Sequence, residues 1–217
     1  CDNMAIPDLK FDGTHAHPCN VVLAHGAGQP LDSPFMNALA EGLADAGLRV
    51  ARFEFPYMAA RRTEGVKKGP DRPDVLLQTW RDAVRSLGGA EQLVIGGKSM
   101  GGRIASMIAE EIGARGLVCL GYPFHAPGKP DKPRIGHLEK LSTPTLIIQG
   151  TRDIMGKPEE VASYKLSNKI DIHWIADGDH SFKPRKRSGR TEAEAWQESI
   201  DAVAAFVTRL SPEFSLD

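Results

Sequence analysis

The stretch that most constrains the fold is Leu93-Val94-Ile95-Gly96-Gly97-Lys98-Ser99-Met100-Gly101-Gly102, followed by Arg103-Ile104-Ala105-Ser106-Met107-Ile108-Ala109. A short apolar run passes through Gly97-x-Ser99-x-Gly101 into apolar residues at helical spacing, which predicts a strand, a sharp turn and a helix. A serine on so tight a turn needs neighbours without Cβ atoms, because a side chain would collide with the strand or the helix. Ser99 is thereby a candidate nucleophile. The Met100 N–H, at a helix N-terminus, is placed to stabilise an oxyanion. The same five residues also serve as a plain glycine-rich βα turn, so the rest of the chain has to decide.

Short apolar strands alternate with amphipathic helices along the remainder of the 217 residues. Strands are predicted at 20–24, 49–55, 93–97, 116–120, 145–149 and 171–175, with a seventh at Leu9-Lys10-Phe11. Helices are predicted at 33–46, 74–87, from about 100, from about 158 and at 192–210, with a brief helical piece near Leu138. Residues 57–72, which hold Arg61, Arg62, Lys67 and Lys68 among glycines and prolines, read as a long basic loop. The alternation argues for a mostly parallel α/β sheet of six to seven strands with helices on both faces. We expect one domain over 1–217, with 1–19 as a lead-in, and no insertion long enough for a cap between Leu120 and Thr145.

Charge and cysteine content narrow the function classes. A formal net charge of −1 offers no field for nucleic acid or an acidic membrane surface. No apolar stretch approaches the ~18 residues that would span a bilayer. The three cysteines, Cys1, Cys19 and an apolar-run Cys119, make no disulfide framework and suit a reducing, cytoplasmic setting. Cys1 fits either a trimmed start, with Met4 the natural one, or the lipid-bearing residue of a bacterial lipoprotein. His15 and His17 lack a third ligand nearby and read as an exposed loop rather than a metal site.

Two further strand ends carry chemistry. Asn20-Val21-Val22-Leu23-Ala24 runs into His25-Gly26-Ala27-Gly28, a turn of small residues whose main-chain N–H groups can face a cavity. Ala27 is the expected second oxyanion donor, and His25 is read as structural. Thr145-Leu146-Ile147-Ile148-Gln149 ends at Gly150-Thr151-Arg152-Asp153, and Asp171-Ile172-His173-Trp174-Ile175 runs out to Asp177-Gly178-Asp179-His180. In an open α/β sheet, residues just past the carboxyl ends of strands gather along one edge. Ser99, Asp153 and His180 all occupy that place, in the chain order of one well-known arrangement. A serine hydroxyl needs a base in hydrogen-bond reach; His180 supplies it, and Asp153 holds the imidazole tautomer and stabilises the imidazolium. Asp177 and Asp179 sit too close to His180 in the chain and are expected to shape its turn. The chemistry calls for no metal and no organic cofactor.

Around these groups, Tyr57 and Phe124 are expected to supply apolar wall, with His125 as either a further substrate contact or a structural histidine. Arg103 opposes the dipole of its helix and is expected to pair with an acid or brace the Asp153 loop, with plain solvation as the alternative. Lys98, Arg61, Arg62, Lys183 and Arg185 form either a receptor for an anionic acyl group or a solvated rim.

With these motifs in place, the chain resembles a small, capless α/β-hydrolase of the dienelactone-hydrolase-like kind. The similarity is greatest to the branch holding the testis-expressed hydrolase-like proteins and the regulatory subunit of the NSL acetyltransferase complex. It rests on His25-Gly26-Ala27, Gly96-Gly97-Lys98-Ser99-Met100-Gly101, Gly121-Tyr122-Pro123-Phe124-His125, Asp153-Ile154-Met155 and His173-Trp174-Ile175 with His180-Ser181. The resemblance implies a serine hydrolase for a small ester or thioester, or a hydrolase-fold scaffold in which the three groups go unused. Dienelactone hydrolases proper use a cysteine where this chain has Ser99, which argues against that particular activity.

Overall fold

A computed structural model describes residues 6–14, 20–65 and 67–210. Cys1, Met4, His15, His17 and Cys19, and the expectations attached to them, lie outside the described residues. The strands are β1 (Lys10–Asp12), β2 (Val21–Ala24), β3 (Val50–Phe53), β4 (Val94–Lys98), β5 (Gly116–Leu120), β6 (Thr145–Gly150) and β7 (Ile170–Ile175). They form one seven-stranded sheet in the order β1-β3-β2-β4-β5-β6-β7. All neighbours are parallel except the β1–β3 pair, in which Phe11 faces Ala51.

The helices are α1 (Pro34–Asp45), α2 (Pro56–Glu64), α3 (Pro73–Ser86), α4 (Met100–Ile108), α5 (Pro158–Val161) and α6 (Glu192–Leu210). Ser33 caps α1 by accepting the Met36 N–H at 3.4 Å, which satisfies one of the orphan donors of its first turn. Leu76, Trp80 and Ile104 of α3 and α4 pack with Phe53, Ile95 and Leu117 on one face of the sheet. Leu39, Val203 and Phe206 of α1 and α6 pack with Leu23, Val94 and Val118 on the other. A strand buried on both faces has no polar side to show, which is why β2, β4, β5 and β6 read as continuous apolar runs.

Two expectations change. The basic segment 57–72 is not a loop throughout, because α2 occupies its first half. Pro56 ends β3's run but stands at the first helical position, where its missing N–H costs nothing; Tyr57 and Met58 are buried, and Gly65 closes the helix at φ +68°. The helical piece near Leu138 is a turn, with the Leu138 N–H on Ile135 O at 2.7 Å. Residues 121–144, which join β5 to β6, contain no helix or strand.

Polar residues of β3 brace the sheet edge. Arg52 is fully buried, and its Nε and Nη2 donate to the Asp12 carboxylate at 2.9 Å each. Its Nη1 donates to Leu31 O at 2.8 Å and Asn37 Oδ1 at 2.7 Å, tying β1, β3, α1 and the turn after β2 together. Glu54, next along, accepts the Leu31 N–H at 3.2 Å and pairs with Arg62.

Candidate active site

Ser99 sits between β4 and α4 with φ 50° and ψ −114°, a conformation that L-residues avoid and that persists only where the surroundings enforce it. The enforcement is close packing. A Cβ on Gly97 would lie 2.1 Å from Ala24 O, and one on Gly101 2.5 Å from the same atom, so the elbow closes only with glycine at both places. The Ser99 N–H donates to Leu120 O at 2.9 Å, which fixes the turn against β5. Ser99 Oγ lies 2.9 Å from His180 Nε2, and His180 Nδ1 lies 2.7 Å from Asp153 Oδ2. Residues 81 and 27 positions apart in the chain are therefore hydrogen-bonded in one line.

Asp153 is fully buried and has other donors to hold its charge. The Met155 N–H reaches Oδ1 at 2.9 Å, and Gln149 Nε2 reaches Oδ2 at 3.0 Å. Gln149 Oε1 in turn accepts the Tyr122 N–H at 2.8 Å, so this amide orients the carboxylate and ties it to the segment after β5. Gln149 belongs to no motif, and its one signal in the sequence is an amide at the end of the apolar Leu146-Ile147-Ile148 run. The His180 turn is held by the side chains expected to shape it. Asp179 Oδ1 accepts the Ser181 and Lys183 N–H groups at 2.8 and 3.0 Å, and Asp177 binds Arg185. Asp177 and Phe182 on this turn share positive φ with Ser99.

The turn after β2 lies over the elbow: a Cβ on Gly26 would stand 3.6 Å from Ser99 Cβ. His25 Nε2 accepts the Phe55 N–H at 3.1 Å, so the ring proton is on Nδ1, which donates to Gly26 O at 2.6 Å. Burial lowers the His25 pKa and keeps this neutral tautomer. Gly26 O and the Ala27 N–H belong to one trans peptide and point opposite ways, so holding the oxygen aims the N–H. Tyr57 completes the clamp by donating its hydroxyl to Ala27 O at 2.9 Å. Burial pushes its phenol pKa up, so it remains a donor. The Met100 N–H opens α4 directly after Ser99, where the helix leaves its first N–H groups without intrahelical acceptors.

The flanking expectations resolve differently. Tyr57, Phe124 and His125 are 1, 0 and 2 % exposed, so they support loops instead of presenting pocket wall. Phe124 packs on Tyr122 and Tyr164, and His125 lies between Ala126 O and the Glu160 carboxylate. Lys98 is not on a rim. Its ammonium is buried 5.7 Å from the Phe35 ring centre, and burial brings its pKa down to about 7 against the opposing pull of Asp153 and Asp179. Arg103 neither pairs with an acid nor braces the Asp153 loop: its Nε is buried and makes no hydrogen bond. Its electrostatic neighbours are Tyr122 and Arg134.

Solved structures with the same fold are distant in sequence. Est1E from Butyrivibrio proteoclasticus is 14 % identical, with 93 % of each chain covered and a TM-score of 0.68. A monoacylglycerol lipase from Paleococcus ferrophilus is 18 % identical over 94 % of this chain and 99 % of its own, at a TM-score of 0.69. An α/β serine hydrolase without lid from Xanthomonas campestris is 16 % identical over 95 % and 88 %, at 0.63. The uncapped seven-stranded sheet, with a serine on the β4–α4 elbow, agrees with a family model that covers residues 17–208, and the chain belongs to the family of the alpha/beta hydrolase domain.

Proposed function

We propose that this chain hydrolyses a small carboxylic ester or thioester through an acyl-Ser99 intermediate. The observation that carries the reading is the hydrogen-bonded line from Ser99 Oγ through His180 to Asp153, at 2.9 and 2.7 Å. Ser99 Oγ attacks the carbonyl carbon as its proton passes to His180 Nε2. Asp153 stabilises the imidazolium, and the Ala27 and Met100 N–H groups take the negative charge that grows on the carbonyl oxygen. Collapse expels the alcohol or thiol, which leaves with the proton from His180. Water, deprotonated by the same imidazole, then releases the acid and restores the serine.

The helix-free connection from β5 to β6 supports an open site and short acyl chains. The Tyr122-Pro123-Phe124-His125 and His173-Trp174-Ile175 elements support the dienelactone-hydrolase-like branch with the testis-expressed and NSL-subunit proteins. A cytoplasmic location belongs to the same proposal, and cell fractionation checks it. A fluorophosphonate probe tests the mechanism. The wild-type chain is expected to label stoichiometrically, and Ser99→Ala to lose both labelling and at least ~10³-fold of its turnover of short p-nitrophenyl esters. A wild-type chain that takes no label would mark a scaffold that holds the three groups without using them.

A further inference from the structure

The basic side chains Arg61, Arg62, Lys98, Lys183 and Arg185 are all engaged within the protein. Arg62 binds Glu54 and Asp32, Arg185 binds Asp177, and Lys183 lies 3.8 Å from Glu192. Arg61 donates to Lys68 O and covers the Tyr57 ring at 5.3 Å. Lys98 is sealed beneath Phe35, with Asp153 and Asp179 as its counter-charges.

Arg103 is different. Its Nε is out of contact with solvent, and the guanidinium forms no hydrogen bond or ion pair among the described residues. The residue as a whole is only half-buried, so part of its side chain meets the surface. A guanidinium keeps its charge across the accessible pH range, and here only its Nε is cut off from water, which leaves the terminal N–H groups open to a partner. Its surroundings add positive charge. Arg134 is exposed and near enough to act on it, and its backbone is fixed by the Phe124 O and Tyr122 hydroxyl contacts at 2.6 and 2.8 Å. His137 feels the Arg103 charge as well; its Nε2 lies 2.8 Å from Ser106 Oγ, which donates to Arg103 O at 2.6 Å.

The backbone that carries this cluster adjoins the reacting groups. The Arg103 N–H donates to Ser99 O at 3.0 Å, so the residue is one helical turn, about 5.4 Å of rise, beyond the nucleophile. Tyr122 follows Gly121, where a Cβ would stand 3.3 Å from His180 Cε1. We propose that the surface where the first turn of α4 meets the 121–144 segment is a carboxylate-binding site centred on Arg103, with Arg134 and His137 beside it. The carboxylate belongs to the ester cleaved at Ser99, a clause that rests on the hydrolase reading, whereas the site itself does not. A planar, bidentate acceptor matches the fork of N–H donors that Arg103 leaves unused.

Succinate titrations of the Ser99→Ala protein, read by calorimetry or amide chemical shifts, test the site without turnover. Arg103→Met is expected to weaken binding at least 10-fold, Arg103→Lys to retain part of it, and a change at the exposed Arg187 to leave it intact. Unchanged melting of Arg103→Met shows that the loss is not unfolding. Equal succinate binding with and without the Arg103 guanidinium would overturn the site. In the active chain, kcat/KM for a hemisuccinate ester is expected to exceed that for its neutral methyl-capped counterpart at least 10-fold, and Arg103→Met to abolish the preference. Equal rates on both esters would overturn the assignment to substrate. Arg103-dependent binding in a chain that cleaves no ester and takes no fluorophosphonate would overturn the hydrolase reading and leave the site standing.

Discussion

On the β3 side of Ser99, Arg52, Glu54 and Arg62 are tied to carboxylates, to one another and to both polar groups of the Leu31 backbone. On the β5 side, Arg103 has no such partner, and its charged neighbours are Arg134 and His137. The first arrangement uses charge as construction. It fixes the far end of the turn that carries Ala27, while His25 and Tyr57 fix the near end, so the Ala27 peptide is held in one orientation by the fold itself. The second leaves charge unspent, and the site is complete only when something negative enters. A buried ion pair is weak evidence for stability in itself, but breaking one leaves an uncompensated charge. The two flanks should therefore respond in opposite ways to loss of an arginine.

The largest difference is expected there. Arg52→Met removes the buried partner of the half-buried Asp12 and of the Leu31 carbonyl, and should destabilise the fold by about 3 kcal/mol in chemical denaturation. Arg103→Met removes a cation without a partner and should leave the denaturation midpoint unchanged or raise it. Equal losses from both variants would erase the contrast.

Tyr57→Phe asks whether the clamp on the oxyanion turn matters to catalysis. The substitution keeps the buried ring and removes only the hydroxyl on Ala27 O. A fall in kcat of about 10-fold with KM little changed is expected, smaller than the ~10²–10³ that follows outright loss of an oxyanion donor. An unaltered kcat would show that His25 alone suffices to aim the Ala27 N–H.

A pH-dependent effect concerns Lys98, which lies under the elbow between the two flanks. The unfolded ammonium stays protonated to about pH 10, but the folded one loses its proton from about 7. Between these values the unfolded chain binds more protons, so stability rises with pH as the cost of a buried charge disappears. Lys98→Met should be the more stable protein at pH 6, with the gap closing between pH 7 and 9 in urea titrations. A gap that does not depend on pH would mean that the folded ammonium is not suppressed.

Much of the fold was legible in the chain because strands buried on both faces leave no choice of residue. The apolar runs at Val21, Val94, Gly116 and Thr145 correspond to parallel strands of the observed sheet. The α2 helix was hidden because Arg61, Arg62 and Glu64 make its exposed surface polar, and the burial of Tyr57 depends on packing against His25 and Ala27, some thirty residues earlier in the chain. Likewise, Tyr57, Phe124 and His125 look like pocket residues by type and by nearness to motifs, and only their surroundings seal them off.

The sequence by itself determined where a serine must sit on a glycine-lined elbow, because van der Waals radii permit no other residue at Gly97 and Gly101. It also determined that an acid and a histidine lie at later strand ends, because a parallel sheet sends every such end to one edge. Tertiary structure alone decided which charges are spent and which are free. Nothing local distinguishes Arg52, Arg62 and Arg103; they differ in whether folding brings a carboxylate within reach of the guanidinium, and that depends on contacts between segments far apart in the chain.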